Sequence, residues 1–399
     1  MILPALVEIR KKTAMRLLKS LVAVIVGIVI LSFITGHGYV WGGIQETYFR
    51  GWKNSNIDDL EFRDIRVLQS ADVAQPWVEK LNAVNPFTVE DEVWNEDYLS
   101  ASFLVIQNDT IRHETYWQGH DRQTVTNSFS ACKSIVALAI GLASDRGLLD
   151  INDSVAKYLP RFIGEAGRGL TIKELLQMRS HIPFGESYSS PLGFMAKAYY
   201  REDIRSLVAP FTVTDQPGSR WKYEGGNTML LEEIIASLGK GSLSDWVERE
   251  LWRPMGAEND AFWGLDAPLE EGGIERCFAQ FYATTRDYAR FGKLLNSGGK
   301  WGDRQLLSEE FIEAVTTPIA RTTKACDAEH YGYQIWLGET SNGEAFSCME
   351  GLRGQMIISV PELDLVVVRT GYSKQELKKD ELPADIYRVL EMGLRSING

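Results

Sequence analysis

Residues 131–146 place the tightest constraint on the fold. Ala131-Cys132-Lys133 leads into Ser-Ile-Val-Ala-Leu-Ala-Ile-Gly-Leu-Ala-Ser at 134–144, and Gly147 closes the run. A helix that is apolar on nearly every side has to be wrapped by protein, so this one belongs at the centre of a domain. Ser130 at its start and Lys133 one turn on share a face. Lysine is rarely fully buried. Burial disfavours its ammonium form and lowers its pKa, so the amine can accept a proton at neutral pH. A serine hydroxyl is a weak nucleophile that needs such a base within hydrogen-bond reach. The free N–H groups at the helix start suit a developing oxyanion. Ser-x-x-Lys recurs at Ser154–Lys157, Ser219–Lys222, Ser237–Lys240 and Ser297–Lys300, but no long apolar helix follows any of these.

The rest of the composition narrows the class. A formal charge of −12 over 399 residues offers no basic face for nucleic acid, so no nucleic-acid partner is expected. The 11 Trp, 16 Phe and 15 Tyr can fill a sizeable core. The N-terminus stands apart: Ser20 to Gln45 holds no charged residue, and Leu21–Ile34 is almost wholly apolar. Arg10, Lys11, Lys12, Arg16 and Lys19 precede it, opposed only by Glu8, which predicts a cytoplasmic N-terminus and an exterior remainder. Extended to Tyr39–Trp41, the segment is long enough to cross hydrocarbon. No Ala-x-Ala follows it, which favours a retained anchor over a cleaved signal peptide.

Cys132 reads as a small space-filling side chain, and an exterior setting would permit a Cys326–Cys348 disulfide. The five histidines and four cysteines are scattered without metal-ligand spacing, so neither metal nor cofactor is expected.

The expected organisation is a cytoplasmic N-terminus and membrane anchor over 1–42, a spacer over 43–85 with one helix at Trp77–Ala83, and the main body over 86–399. Leu99–Gln107 and Ile111–Trp117 alternate around Asn108-Asp109 and predict a hairpin. Gln355–Val360 and Leu365–Arg369 predict a second, turned by Pro361-Glu362. Tyr331–Leu337 reads as a strand, and Ala384–Ile397 as a final helix. The middle, about 148–320, reads as mostly helical, with amphipathic pieces at Thr171–Met178 and Asn227–Ser237. The fold class is therefore α+β: an antiparallel sheet flanked by terminal helices, joined to a mostly helical lobe, with Ser130 in the cleft between them.

Two segments offer partners for Ser130. Tyr223 lies in the Gly-bounded turn Lys222-Tyr223-Glu224-Gly225-Gly226 before Asn227. Beside a lysine its phenolate is favoured, and it can relay a proton to a leaving group; its plainer role is an aromatic plug. Asn227 can orient substrate or the lysine amine, or cap the helix that follows. Gly351-Leu352-Arg353-Gly354-Gln355 enters a strand, and its glycines allow close backbone approach. The Gln355 N–H can supply a second oxyanion donor, and Arg353 can meet an acidic substrate group. The plainer role is a glycine-rich hairpin shoulder.

In this order the three elements resemble the serine β-lactamase and penicillin-binding superfamily, whose signature opens with Ser-x-x-Lys. The resemblance covers about residues 86–398. It is closest to the class C-like branch, which includes esterases and 6-aminohexanoate-dimer hydrolases. Ser130-x-x-Lys133 looks like the first motif. Tyr223-x-x-x-Asn227 looks like the second, in the dimer-hydrolase spacing. Gly351–Gln355 looks like the third, without the usual Lys-Thr-Gly. Tyr188, after Leu175-Leu176-Gln177-Met178, matches a second tyrosine of that branch, which would contact the substrate amide or leaving group. The resemblance implies a hydrolase that cleaves a small-molecule amide or ester through an acyl-enzyme on Ser130, held at the membrane by the N-terminal segment read above. Lys133 and Tyr223 would move protons, and Tyr188, Asn227, Arg353, Gly354 and Gln355 would line the substrate and oxyanion site. The alternatives are a D,D-peptidase or β-lactamase acting on cell-wall peptides or β-lactams, and a catalytically inactive binding module of the same fold. The oligomeric state is open.

Overall fold

The computed structural model describes residues 2–82, 85–188, 190–200, 203–319, 329–379 and 382–397. The chain forms two compact units: residues 1–55 with 187–202, and residues 56–186 with 203–399.

The first unit is helical. Its long helix α1 (Ile2–Ile34) contains Lys11–Ile34, 24 residues apolar enough to cross a membrane and not buried within the protein. At about 1.5 Å per residue that length matches a hydrocarbon core, and a signal sequence has the same features. The helix stops at Ile34 because Gly36 turns left-handed at φ +73°, while the His37 N–H donates to the Ser32 carbonyl at 2.7 Å. Tyr39–Trp41 therefore lie on a separate helix, Tyr39–Glu46, rather than extending the apolar span. Within this unit the Trp41 indole donates to Ser32 Oγ at 2.6 Å and the Tyr39 hydroxyl to the Pro191 carbonyl at 3.2 Å.

The second unit is the α+β body. Its strands are β1 (Ile65–Leu68), β2 (Val78–Glu79), β3 (Ser100–Gln107), β4 (Thr110–Tyr116), β5 (Val125–Asn127), β6 (Ala261–Gly264), β7 (Phe281–Thr284), β8 (Trp336–Glu339), β9 (Ala345–Gly351), β10 (Gln355–Val360) and β11 (Leu365–Gly371). One sheet runs β8-β9-β10-β11-β3-β4-β2, antiparallel except for the β2–β4 pair; a second runs β1-β6-β7-β5. The helices that matter for the site are α2 (Val89–Asp97), α3 (Cys132–Asp145), α4 (Gly226–Ser237), α5 (Thr285–Asn296) and α6 (Ala384–Ile397).

Both expected hairpins form. Asn108 and Asp109, at φ +48° and +58°, make a two-residue turn whose left-handed backbone suits the twist of β3 and β4. Pro361–Leu363 with left-handed Asp364 joins β10 to β11. One face of the large sheet holds a core built from Phe103, Val105, Ile358 and Val367, with Trp94 of α2 and Ile386, Val389 and Leu390 of α6. Helix α5 covers the other face, packing on β10 and β11. Covered on both sides, β10 and β11 are buried throughout, with apolar cores at Met356–Ile358 and Leu365–Val368.

Three expectations are corrected. The stretch 43–85 is not a spacer with a helix at Trp77–Ala83, of which Ala83 lies outside the described residues. Ile65–Leu68 pairs with Ala261–Gly264, and Val78–Glu79 joins the large sheet. Trp77 is extended because its ring buries under the Arg290 guanidinium, 5.4 Å away, and its indole donates to the Arg286 carbonyl. The middle of the chain, expected as mostly helical, also holds two strands, since Ala261–Gly264 and Phe281–Thr284 are short apolar runs of the kind that periodicity cannot assign. The strand expected from Tyr331 begins only at Trp336, because left-handed Gln334 (φ +57°) reverses the chain first. Cys348 is buried in β9, and Cys326 lies outside the described residues.

Candidate active site

Strand β5 delivers the chain to Ser130 through a strained turn. Phe129 is held at φ +46°, left-handed for a bulky side chain. The Asn127 carboxamide accepts the Phe129 N–H at 2.8 Å, and the Ser128 N–H donates to the Phe281 carbonyl at 2.8 Å. Ser130 then occupies a single 3-10 turn, Phe129–Ala131, that runs straight into α3. Helix α3 is buried from Cys132 to Ala143 and packs against α4, Leu243–Val247 and β9, so Ser130 lies between the helical part and the large sheet.

Lys133 is 1% exposed. Its Nζ lies 2.7 Å from Ser130 Oγ and 2.9 Å from the Phe278 carbonyl oxygen. Burial pulls its pKa below the ordinary lysine value, while the Glu186 carboxylate pushes it partly back up. Neighbouring Cys132 donates to the Cys277 carbonyl, and burial raises its thiol to about 12, in keeping with a space-filling role.

Tyr223 completes a cluster with these two. Lys133 Nζ sits 5.1 Å from its ring centroid. Its ring stacks on Trp336 (5.9 Å, 18°) and meets Tyr331 edge-on at 6.2 Å. Desolvation, then the Glu186 carboxylate, pushes the phenol well above its usual range, and the Ser130 hydroxyl pulls the other way. The resting group is therefore a neutral phenol, not the phenolate that an adjacent lysine suggested. The reason is that burial penalises the phenolate itself, and the nearby Glu186 carboxylate adds to that penalty.

The other expected residues fall in different places. Asn227 is buried in the first turn of α4, its amide donating to the Glu224 carbonyl and to Met178 Sδ; the cap position belongs to Gly225. Tyr188 belongs to the first unit, with an exposed side chain. Gly351–Gln355 is the β9–β10 turn, with Arg353 at φ +67° and Gly354 at φ +80°. The Arg353 guanidinium donates to the Tyr372 carbonyl. The Gln355 carboxamide donates to the Leu352 and Gly371 carbonyls and accepts the Gly371 N–H, pinning the turn to β11. Gly351 makes the close approach: a Cβ there would sit 2.1 Å from the Ser128 carbonyl oxygen. The turn thus rests on the backbone just before Ser130.

Sequence reasoning missed several contributors. The Glu186 carboxylate accepts the Gly225 N–H while Glu224 accepts the Phe184 N–H, so the two segments cap each other beside Lys133. The Phe278 carbonyl and the Trp336 ring are likewise set by tertiary contacts. No local spacing announces them; only the Gly185-Glu186 and Glu224-Gly225 pairs mark the two turns that exchange carboxylates.

A mixed sheet flanked by helices, with a serine–lysine pair at the start of its buried central helix, defines the class of serine β-lactamases and penicillin-binding proteins. The chain belongs to the Beta-lactamase family, whose model matches residues 88–390. It is 23% identical over 297 residues to the 6-aminohexanoate-dimer hydrolase of Paenarthrobacter ureafaciens, covering 69% of this chain and 73% of that protein. A Bacillus anthracis protein named as a candidate 6-aminohexanoate-dimer hydrolase superposes with a TM-score of 0.71 at 20% identity, over 90% of this chain and 93% of its own. A family VIII carboxylesterase gives 0.59 at 18% identity, over 76% and 95%.

Proposed function

We propose that the protein is a serine hydrolase that cleaves an amide or ester of a small molecule through an acyl-enzyme on Ser130. One observation carries the reading: a fully buried amine, Lys133 Nζ, lies 2.7 Å from Ser130 Oγ. A scaffold has no use for a desolvated base against a hydroxyl, which counts against an inactive binding module.

Neutral Lys133 takes the Ser130 proton as Oγ attacks the substrate carbonyl carbon, and the carbonyl oxygen becomes an oxyanion. The Ser130 amide, in the turn that leads into α3, and the Gln355 amide would hold that oxygen. As the tetrahedral centre collapses, Tyr223 gives its phenolic proton to the departing nitrogen or oxygen and is reprotonated from Lys133. Water then attacks the acyl carbonyl, passing a proton to the Lys133–Tyr223 couple. The bond to Oγ breaks, Ser130 recovers its proton and the acid leaves.

The Arg353 guanidinium, engaged with the Tyr372 carbonyl, is poorly placed to receive a substrate carboxylate. This ranks neutral esters and amides above β-lactams and D,D-peptides, both of which present one. The apolar end of helix α1, from Leu21 to Ile34, and the basic residues that precede that stretch support membrane anchoring with the body on the exterior side.

A fluorophosphonate probe tests the core of this reading. We expect one label per chain at Ser130, no label in Ser130→Ala, and loss of short-chain nitrophenyl ester hydrolysis in that variant. Ester turnover persisting near wild type in Ser130→Ala would refute the assignment.

A further inference from the structure

The 351–355 turn carries no Lys-Thr-Gly, yet a cation stands directly behind it. Arg369 of β11 is fully buried; among the described residues no carboxylate lies within ion-pair distance of it, although the Asp385 carboxylate acts on it through space. Its Nη1 donates to the carbonyls of Arg353 (2.8 Å), Gly354 (2.9 Å) and Ser373 (3.1 Å). Its Nη2 donates to the Tyr98 carbonyl at 3.0 Å, and both Nη2 and Nε reach Ser100 Oγ. The Trp94 ring lies 5.1 Å from the guanidinium carbon. Burial pulls the group down to about 10, so it stays charged at neutral pH.

A buried cation is costly unless its surroundings are arranged around it. Here they are. Two glycines vacate the space it fills: a Cβ on Gly354 would come within 2.5 Å of Nη1, and one on Gly371 within 2.4 Å of the guanidinium carbon. The carbonyls that it gathers belong to two consecutive left-handed residues, Arg353 at φ +67° and Gly354 at φ +80°. That pairing is unfavourable for arginine without support. The same turn continues into Gly351, which rests on the Ser128 carbonyl two residues before Ser130.

We propose that Arg369 is a positioning residue of the hydrolytic site: it holds the 352–354 turn in its left-handed shape, and so holds the turn's amides at a fixed distance from Ser130. The inference rests on the serine-hydrolase reading above. The cation supports the turn from behind and does not reach into the cleft, so it acts on the transition state through the backbone and leaves ground-state binding nearly unchanged. A planar guanidinium is required, because an ammonium has three donors and cannot span acceptors contributed by Tyr98, Ser100, Arg353, Gly354 and Ser373.

The test uses the full chain and the variants Arg369→Lys and Gly354→Ala. Active sites are counted by fluorophosphonate labelling, and kcat and KM for a nitrophenyl ester are expressed per labelled site. A displacement of order 1 Å costs about 10²-fold, so we expect kcat per labelled site to fall ~10²-fold in both variants. KM should hold within about threefold, as for an interaction made only in the transition state. A purely structural role would instead lower the labelled fraction and leave kcat per labelled site intact; that result overturns the proposal. If Arg369→Lys fails to fold, Gly354→Ala decides, since its added methyl pushes on the guanidinium from the surface turn. A wild-type chain that neither labels nor hydrolyses sinks the hydrolase reading and this one with it. A labelled wild type with an unaffected Gly354→Ala sinks this one alone.

Discussion

Lys133→Met should separate function from stability. Methionine keeps most of the length and apolar bulk of the lysine chain, so the buried slot beside Phe278 and Tyr223 stays filled. What goes is the amine. On the proposed mechanism Ser130 then lacks its base, and general-base removal lowers rates by about 10²–10⁴-fold. At ~10³-fold this is about 4 kcal/mol of transition-state stabilisation. The stability change is the difference of two opposing effects. The Phe278 carbonyl loses its donor, which costs about 1–3 kcal/mol if nothing replaces it. Against this, the protein no longer has to desolvate an amine, a cost of similar size for a polar group with incomplete compensation. We expect Tm to move by no more than about 3 °C in either direction, while kcat/KM for a nitrophenyl ester falls ~10³-fold. The assay pairs a thermal melt with ester kinetics on the same preparation. Activity within tenfold of wild type would show that Lys133 is not the base. A large fall in Tm with proportionate loss of activity would show that it is a structural residue.

Further outcomes follow from the same site. Because burial lowers the Lys133 pKa, kcat/KM should rise with pH along a limb whose midpoint lies below the ordinary lysine value, and Tyr223, shifted upward, should add no descending limb up to about pH 9; a midpoint at or above the ordinary value contradicts a desolvated Lys133. Tyr223→Phe should cost at least about 10²-fold in kcat with the stacking on Trp336 preserved, and a smaller effect measured in ester turnover would demote the phenol to packing. Glu232, buried in α4, is raised to about 8 chiefly by burial. The folded state therefore holds a proton that the unfolded chain releases near 4.5, and stability falls as pH rises between those values. Glu232→Gln should leave Tm little changed near pH 4 and raise it near pH 9; melts showing no such divergence would contradict the shift.

The elements that sequence foretold well are those whose cause is local. Asn108-Asp109 between alternating runs dictates a tight turn, and the apolar run ending at Gly147 dictates a buried helix. Ala384–Ile397 shows its amphipathic face and appears with the bounds expected. The serine–lysine contact follows from one helical turn. Tyr223 was identifiable by its glycine-bounded turn, but its protonation state was not, because that depends on how thoroughly Tyr331, Trp336 and Glu186 exclude water. The same limit applies to β1 and β2: Ile65–Leu68 and Val78–Glu79 are too short to signal pairing, and only the partners at Ala261–Gly264 and Thr110–Tyr116 make them strands. Gln355 presented itself as a backbone donor, whereas its carboxamide ties β10 to β11. Arg369 gave no warning at all, since an arginine inside Leu-Val-Val-Val-Arg-Thr-Gly looks like an interruption of a strand until its acceptors are seen.

The abutment of Gly351 on the Ser128 carbonyl leaves no soft material between the sheet and the segment carrying the serine. The spacing between the turn and the serine segment is therefore set largely by main chain against main chain. Diversification of such a protein toward new substrates must then come from the surrounding loops, while this joint behaves as a hard stop that selection can keep or lose but not adjust by degrees.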